Sequence, residues 1–247
     1  MIHLRDRPHC QPGTVVWRNK PLRFADGLAL YGQLHDIFVK RAYDFMSETR
    51  APRLIDCGAH VGVTVMRWRE LYPSAQITAI EADPAIAGLL RQNLAARDDS
   101  ATRVITAAVW TSNTTTDFHA TGSDNGCVRP GGVLKIPALD LATFCREPVD
   151  LLKLDIEGSE EAVLTHLADT GALRAVRRLV CEWHQWTPAA PRMHLILDRL
   201  VQAGFIYRLS ESHCLGDQAA PGFAQLAWPG NQLMLYAWQQ NPALPPP

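Results

Sequence analysis

The sequence predicts an α/β protein: a doubly wound, mostly parallel sheet of seven strands with helices on both faces. Three observations carry this. Short apolar runs alternate with stretches of helical spacing from residue 54 to residue 238. A glycine-bearing turn, Gly58-Ala59-His60-Val61-Gly62, joins the first run to residues that can start a helix. Four of the runs end on an acid, at Asp56, Glu81, Asp155 and Glu182, and ligands on such sheets bind outside the carboxyl ends of the strands.

Residues 1–32 are turn-rich, punctuated by Pro8, Pro12, Gly13, Pro21 and Gly27, and read as an N-terminal extension with one outlying strand at Val15-Val16-Trp17. In residues 33–49 the apolar side chains Leu34, Ile37, Phe38, Tyr43, Phe45 and Met46 recur near helical spacing. An amphipathic helix is expected there, its aromatics either packing in the core or lidding a ligand pocket. The first strand closes at Asp56, and the helix after the turn stops near Pro73. A buried-type strand follows at 76–81, and Pro84 opens a helix to about residue 97 with Ile86, Leu89, Leu90 and Leu94 on one face.

Residues 102–109 read as a third strand. Residues 111–136, rich in Thr, Gly, Asp and Asn, read as a hairpin or loop insertion. A short helix at 139–145, a fourth strand at 149–155 and a helix at 159–167 come next. Then follow a fifth strand at 176–182, a helix at 192–203, a sixth strand at 204–209, a loop at 216–230 and a seventh strand at 232–238. Residues 33–240 make one domain, and the Pro-rich tail 241–247, NPALPPP, is expected to be extended.

Lys+Arg 24 against Asp+Glu 25 leaves no basic excess for a phosphate backbone, which argues against a nucleic-acid partner. The six cysteines include no C-x-x-C pair, so neither a zinc site nor a disulfide scaffold is indicated and a reducing, cytoplasmic setting is expected. The N-terminal MIHLRDRPHCQPG lacks the apolar core of a signal peptide, and no run reaches the length of a membrane span.

Strand, tight turn and helix N-terminus together can cradle an anionic or polar ligand with backbone N–H groups. Gly58 is expected to let backbone approach a ligand, and Gly62 to let the helix pack on the strand. A nicotinamide fingerprint would read G-x-G-x-x-G. Here His60 takes the middle glycine's place and the pattern is D-x-G-x-x-x-G.

With that turn and the acid 25 residues later in Ile80-Glu81-Ala82-Asp83-Pro84, the chain resembles the class I S-adenosylmethionine (SAM)-dependent methyltransferases, which are Rossmann-like. Lys153, Asp155, Glu157, Gly158 and Glu160, followed by Glu182-Trp183-His184, narrow the resemblance to the FkbM-type branch, whose hallmark is K-x-D-x-E-G-x-E and then E-x-H. The resemblance runs from about residue 36 to residue 238. One departure is His60, where asparagine is common.

The resemblance implies SAM held by Asp56, Gly58, Ala59, His60, Gly62, Glu81, Ala82, Ala108 and Asp155. Backbone N–H groups of the turn would take its methionine carboxylate, and Glu81 would accept from its ribose hydroxyls. Ala107 and Ala108 leave room for a flat adenine, and Asp155 would face the sulfonium or ammonium. It also implies a small hydroxylated acceptor of natural-product, sugar or glycan type.

A hydroxyl needs its proton removed before it attacks. His184, with an ordinary pKa near 6.5, is the expected base, Glu182 its orienting partner, and Asp155 and Glu157 stand beside them. Asp155 and Glu182, with Glu157, offer the alternative of an oxygen-ligand site for Mg²⁺. Two further readings remain: a nicotinamide-dependent oxidoreductase on a similar sheet, and a methyltransferase-like scaffold without chemistry.

Overall fold

A computed structural model of the chain describes residues 2–124, 126–185, 192–211 and 231–240. The loop expected at 216–230, the tail 241–247 and Asn125 lie outside them. A short helix α1 (Ile2–Arg5) precedes an antiparallel hairpin of β1 (Gly13–Trp17) and β2 (Lys20–Phe24). Its two-residue turn, Arg18-Asn19, has φ of 53° and 60°, the left-handed pair that matches the twist of a hairpin. The strand expected at Val15–Trp17 is there; its partner carries Pro21 and was not foreseen.

Helix α2 (Gly27–Leu34) starts earlier than the periodicity indicated and does not reach residue 49. Asp26 caps it, accepting from the N–H groups of Leu28 and Ala29. The helix widens into a π turn (His35–Val39), closed by Lys40 N–H to the His35 carbonyl at 3.0 Å. Arg41, at φ 56°, ends it. Tyr43 and Phe45 instead anchor irregular chain to the next helix: Trp68 Nε1 donates to the Tyr43 carbonyl and Phe45 packs on Tyr72. Their spacing reflects that neighbour, not a helix of their own.

The large sheet takes shape through β3 (Arg53–Cys57), α3 (Val63–Leu71), β4 (Gln76–Glu81), α4 (Pro84–Ala95) and β5 (Arg103–Thr106). The expected third strand then divides, because Ala107 N–H bonds to the Glu81 carbonyl and the chain leaves for a second sheet. That sheet is larger than the hairpin or loop expected at 111–136: β6 (Ala108–Trp110), β7 (Thr114–His119), β8 (Cys127–Val128) and β9 (Leu134–Asp140), in the order β6-β9-β7-β8. A 3₁₀ turn (Leu141–Cys145) leads to β10 (Leu151–Leu154), α5 (Glu160–Asp169), β11 (Arg178–Gln185), α6 (Met193–Gln202), β12 (Phe205–Glu211) and β13 (Asn231–Gln239).

The seven strands run β12-β13-β11-β10-β3-β4-β5. All pairings are parallel except those of β13, which is antiparallel to both neighbours. The predicted doubly wound, mostly parallel seven-stranded sheet is the one observed. Alternation along the strands feeds two cores. Leu54 and Leu151 join Leu30, Trp68 and Leu90 on one face, while Ile55, Leu152 and Leu154 join Val163, Leu167 and Ile196 on the other. Leu22, Phe24 and Leu34 belong to the first core, and Asn93 ties β2 to the glycine turn through Arg23 and the Val61 carbonyl. The order reverses between β3 and β10, which opens a crevice at their carboxyl ends. Among the described residues no helix is long and apolar enough to cross a membrane.

Candidate active site

The turn after β3 is held by the fold more than sequence reasoning allowed. Gly58 and Ala59 N–H both bond to the Ile80 carbonyl at 3.0 Å, Gly62 N–H bonds to Ala59, and His60 N–H donates to Glu81 Oε2 at 2.8 Å. Four of the five backbone donors expected to face a ligand carboxylate, those of Gly58, Ala59, His60 and Gly62, are therefore bonded inside the protein. The glycines also have other reasons. At Gly58 (φ 80°) a Cβ would sit 1.8 Å from the Asp155 carbonyl oxygen; at Gly62 (φ 93°) it would meet Leu90 of α4 at 2.5 Å. Close packing of the turn on β10 and α4 requires them.

Glu81 ends β4 with both oxygens engaged, Oε1 accepting from Asp83 N–H at 2.8 Å. Burial pushes its pKa up to about 7, against those two backbone hydrogen bonds. Each oxygen keeps a lone pair for a ligand hydroxyl.

Lys153 Nζ donates to the Gly58 carbonyl at 2.9 Å and lies 3.2 Å from both Asp56 Oδ1 and Asp155 Oδ2. Asp56 is fully buried there. Burial raises its pKa, against the charge of Lys153. It is the lysine's counter-ion beneath the turn and does not reach the crevice, so its expected contact with a cofactor is not what the structure places. Asp155 does reach it.

The turn between β10 and α5 places Glu157 at φ 56° and Gly158 at φ 102°. Glu160, the first residue of α5, folds this turn by accepting from Ile156 N–H at 3.0 Å and Gly158 N–H at 3.0–3.1 Å. The same carboxylate accepts from His184 Nδ1 at 3.0 Å. His184 lies within β11, not beyond the strand as expected, and on the same face as Glu182. Its Nε2 is 3.7 Å from Glu157 Oε1 and 4.0 Å from Glu182 Oε1. Glu160, not Glu182, thus makes the close hydrogen bond that orients the ring. Burial opposes charge on this imidazole, but the hydrogen bond and charge of Glu160, with the charges of Glu157 and Asp155, push its pKa up to about 10. The expected value near 6.5 does not survive the carboxylates around it. Burial pushes Glu157 up to about 8, against the charge of His184.

These groups open on one cavity of about 1350 Å³. Gly58, Ala59, His60, Glu81, Ala82 and Ala108 line one part of it, and Asp155, Glu157, Glu182 and His184 another. Gly62, like Asp56, is outside the lining. Tyr31, Gln33, His35, Asp36 and Lys40, from α2 and the π turn, form a further wall. Gln33 Nε2 meets His60 Nδ1 at 2.6 Å.

Residues 56–207 match the family model of the methyltransferase FkbM domain. The chain belongs to this family. Among curated relatives it is similar to the 2-O-methyltransferase NoeI of Sinorhizobium fredii, 24% identical over 182 residues that cover 63% of this chain and 73% of the relative. It is also similar to the methyltransferase sdnD of Sordaria araneosa, 25% identical over 205 residues that cover 66% of this chain and 78% of the relative. A solved FkbM methyltransferase from Methylobacillus flagellatus superposes over 87% of this chain and 56% of that one, with a TM-score of 0.54 and 14% identity. That likeness speaks to the fold alone, and the fold is the class I methyltransferase one.

In this FkbM chain, sequence reasoning missed the roles of Glu160 and Gln33. Glu160 sits in the motif that carries the resemblance, but a carboxylate at a helix start reads first as a dipole partner. Nothing in the sequence points from Gln33 to His60. The metal expectation is also redrawn. Asp155, Glu157 and His184, rather than Asp155 and Glu182, bring ligand atoms within 4.8 Å of one another. An imidazole held protonated by Glu160, and Lys153 on Asp155, make this a poor set for Mg²⁺, which takes oxygen ligands.

Proposed function

We propose that the chain transfers a methyl group from SAM to a hydroxyl oxygen of a small molecule of natural-product, sugar or glycan type, in the cytoplasm. The observation that carries this reading is the Glu157–His184–Glu160 cluster beside Asp155, facing the same cavity as Glu81. A cavity of this volume has room for two ligands side by side. The family speaks for methyl transfer over the nicotinamide reading, and the name of the 2-O-methyltransferase relative supports oxygen as the acceptor atom.

The residues fit SAM. Glu81 offers acceptor lone pairs for ribose hydroxyls, Ala82 and Ala108 leave space for a base, and Asp155 offers a carboxylate to an ammonium. Bound there, SAM supplies an electrophilic methyl on a sulfonium. The chain's own contribution is alignment and proton removal. His184, charged at neutral pH, cannot serve as the base in that form. Glu157 takes the acceptor's proton, its pKa near working pH, and the imidazolium stabilises the carboxylate before that transfer. The two titrate as one unit.

Isothermal titration with SAM, followed by a mass-shift screen of hydroxylated acceptors with labelled SAM, tests the proposal. Heat on titration and a single-methyl mass gain are expected. No heat would leave a methyltransferase-like scaffold without chemistry, and methylation at nitrogen or carbon would displace the oxygen assignment.

A further inference from the structure

His60 presents a buried donor that the fold does not satisfy. Its residue is 8% exposed, it lines the cavity, and Nε2 has no hydrogen-bond partner among the described residues. With the Gln33 amide nitrogen facing Nδ1 at 2.6 Å, Nδ1 is the acceptor and the proton resides on Nε2. Burial depresses the ring's pKa, so it is neutral and a donor at that atom. Asp124 and Asp155 act on it through their charge, yet neither accepts from it. An unpaired buried N–H is costly, and such groups mark missing partners.

We infer that His60 Nε2–H is the group that receives the methionine carboxylate of SAM, with Gln33 as the positioning residue that fixes its tautomer. This rests on the cofactor reading above. The acceptor groups of SAM are its carboxylate, its ribose oxygens and its base. Glu81 serves the ribose hydroxyls, and Ala82 and Ala108 border the space for the base. The ammonium and carboxylate share one carbon, so the groups that hold them must be neighbours. Asp155 and His60 line the same cavity, and the charge of Asp155 acts on the His60 ring. Four of the turn's five backbone donors, at Gly58, Ala59, His60 and Gly62, are bonded within the fold and so compete less well for the carboxylate. Gln33 lies outside the family-matched residues, so the N-terminal helix α2 completes the cofactor site from outside the shared domain.

The test is calorimetric binding of S-adenosylhomocysteine and of 5′-methylthioadenosine, which lacks the amino and carboxylate groups. His60→Ala should weaken S-adenosylhomocysteine roughly tenfold to a hundredfold, leave methylthioadenosine unchanged, and be largely rescued by His60→Asn, which restores an N–H donor. Gln33→Leu should weaken S-adenosylhomocysteine alone, to a smaller extent. In the wild type, the ¹⁵N resonance of Nε2 should report a protonated nitrogen and move with S-adenosylhomocysteine but not with methylthioadenosine. This readout stands even where a variant fails to fold. Equal losses for both ligands, no loss for either, or a wild-type proton on Nδ1 would overturn the inference while leaving the cofactor reading intact. A folded wild type that binds neither ligand would overturn both.

Discussion

Glu160 Oε1 accepts from His184 Nδ1 at 3.0 Å, with both side chains 1% exposed. One buried carboxylate thereby joins the turn after β10 to β11, and it decides the charge of the histidine that the sequence puts forward as a base.

The first consequence is for stability against pH. The folded pKa of His184, about 10, lies above its ordinary 6.5. The stability this contributes is fully present below pH 6.5 and is lost as pH rises through 10. Urea midpoints should fall across that window by an amount on the order of a few kcal/mol in stability. The same limb should be missing in His184→Gln. A flat wild-type profile would mean the imidazole is neutral in the folded state.

For catalysis, Glu157→Gln should cut turnover by roughly 10²–10⁴-fold while SAM affinity is little changed. The wild-type rate should climb as pH rises through about 8, where Glu157 loses its proton, and the variant should lose that climb. A rate limb near 6.5 instead would hand proton removal back to a histidine of ordinary pKa.

Glycine substitutions separate conformational need from packing. Gly58→Ala places a methyl 1.8 Å from a backbone oxygen at a residue with φ 80°, so it should destabilise by more than about 2 kcal/mol or prevent folding. Gly88, inside α4, has nothing within 4 Å of its Cβ position. Gly88→Ala should therefore stabilise by about 0.5–1 kcal/mol. Thermal melts of the two variants moving in the same direction would contradict the packing described.

Activity is expected to persist in excess chelator, because the Asp155, Glu157 and His184 donor set suits Mg²⁺ poorly. Loss of turnover with chelator and its return on adding Mg²⁺ would show that the trio, or the acceptor with it, does bind the ion.

The sequence by itself determined the layers of this protein. Leu54 and Ile55 alternate into two cores, the turn from Gly58 to Gly62 follows the first core strand, and Glu81 and Asp155 stand at the carboxyl ends of their strands, whereas Glu182 lies inside β11, which runs on to Gln185. Each of these is a local signal, since strand alternation and tight turns are set by neighbours a few residues apart. The residues of the K-x-D-x-E-G-x-E and E-x-H motifs were legible for the same reason, and they do converge.

Only the tertiary structure decided what those residues are. Glu160 lies 24 residues from His184, and Gln33 lies 27 from His60. No periodicity links such partners; the parallel register of β10 with β11 and the docking of α2 bring them together. Burial then sets their charge: it removes the water that would hold His184 near 6.5 and Glu157 near 4.5, and leaves the neighbouring carboxylates and imidazole in its place. Whether a backbone N–H faces a ligand or another strand is likewise a matter of packing, and at Gly58 and Ala59 packing spends it on Ile80.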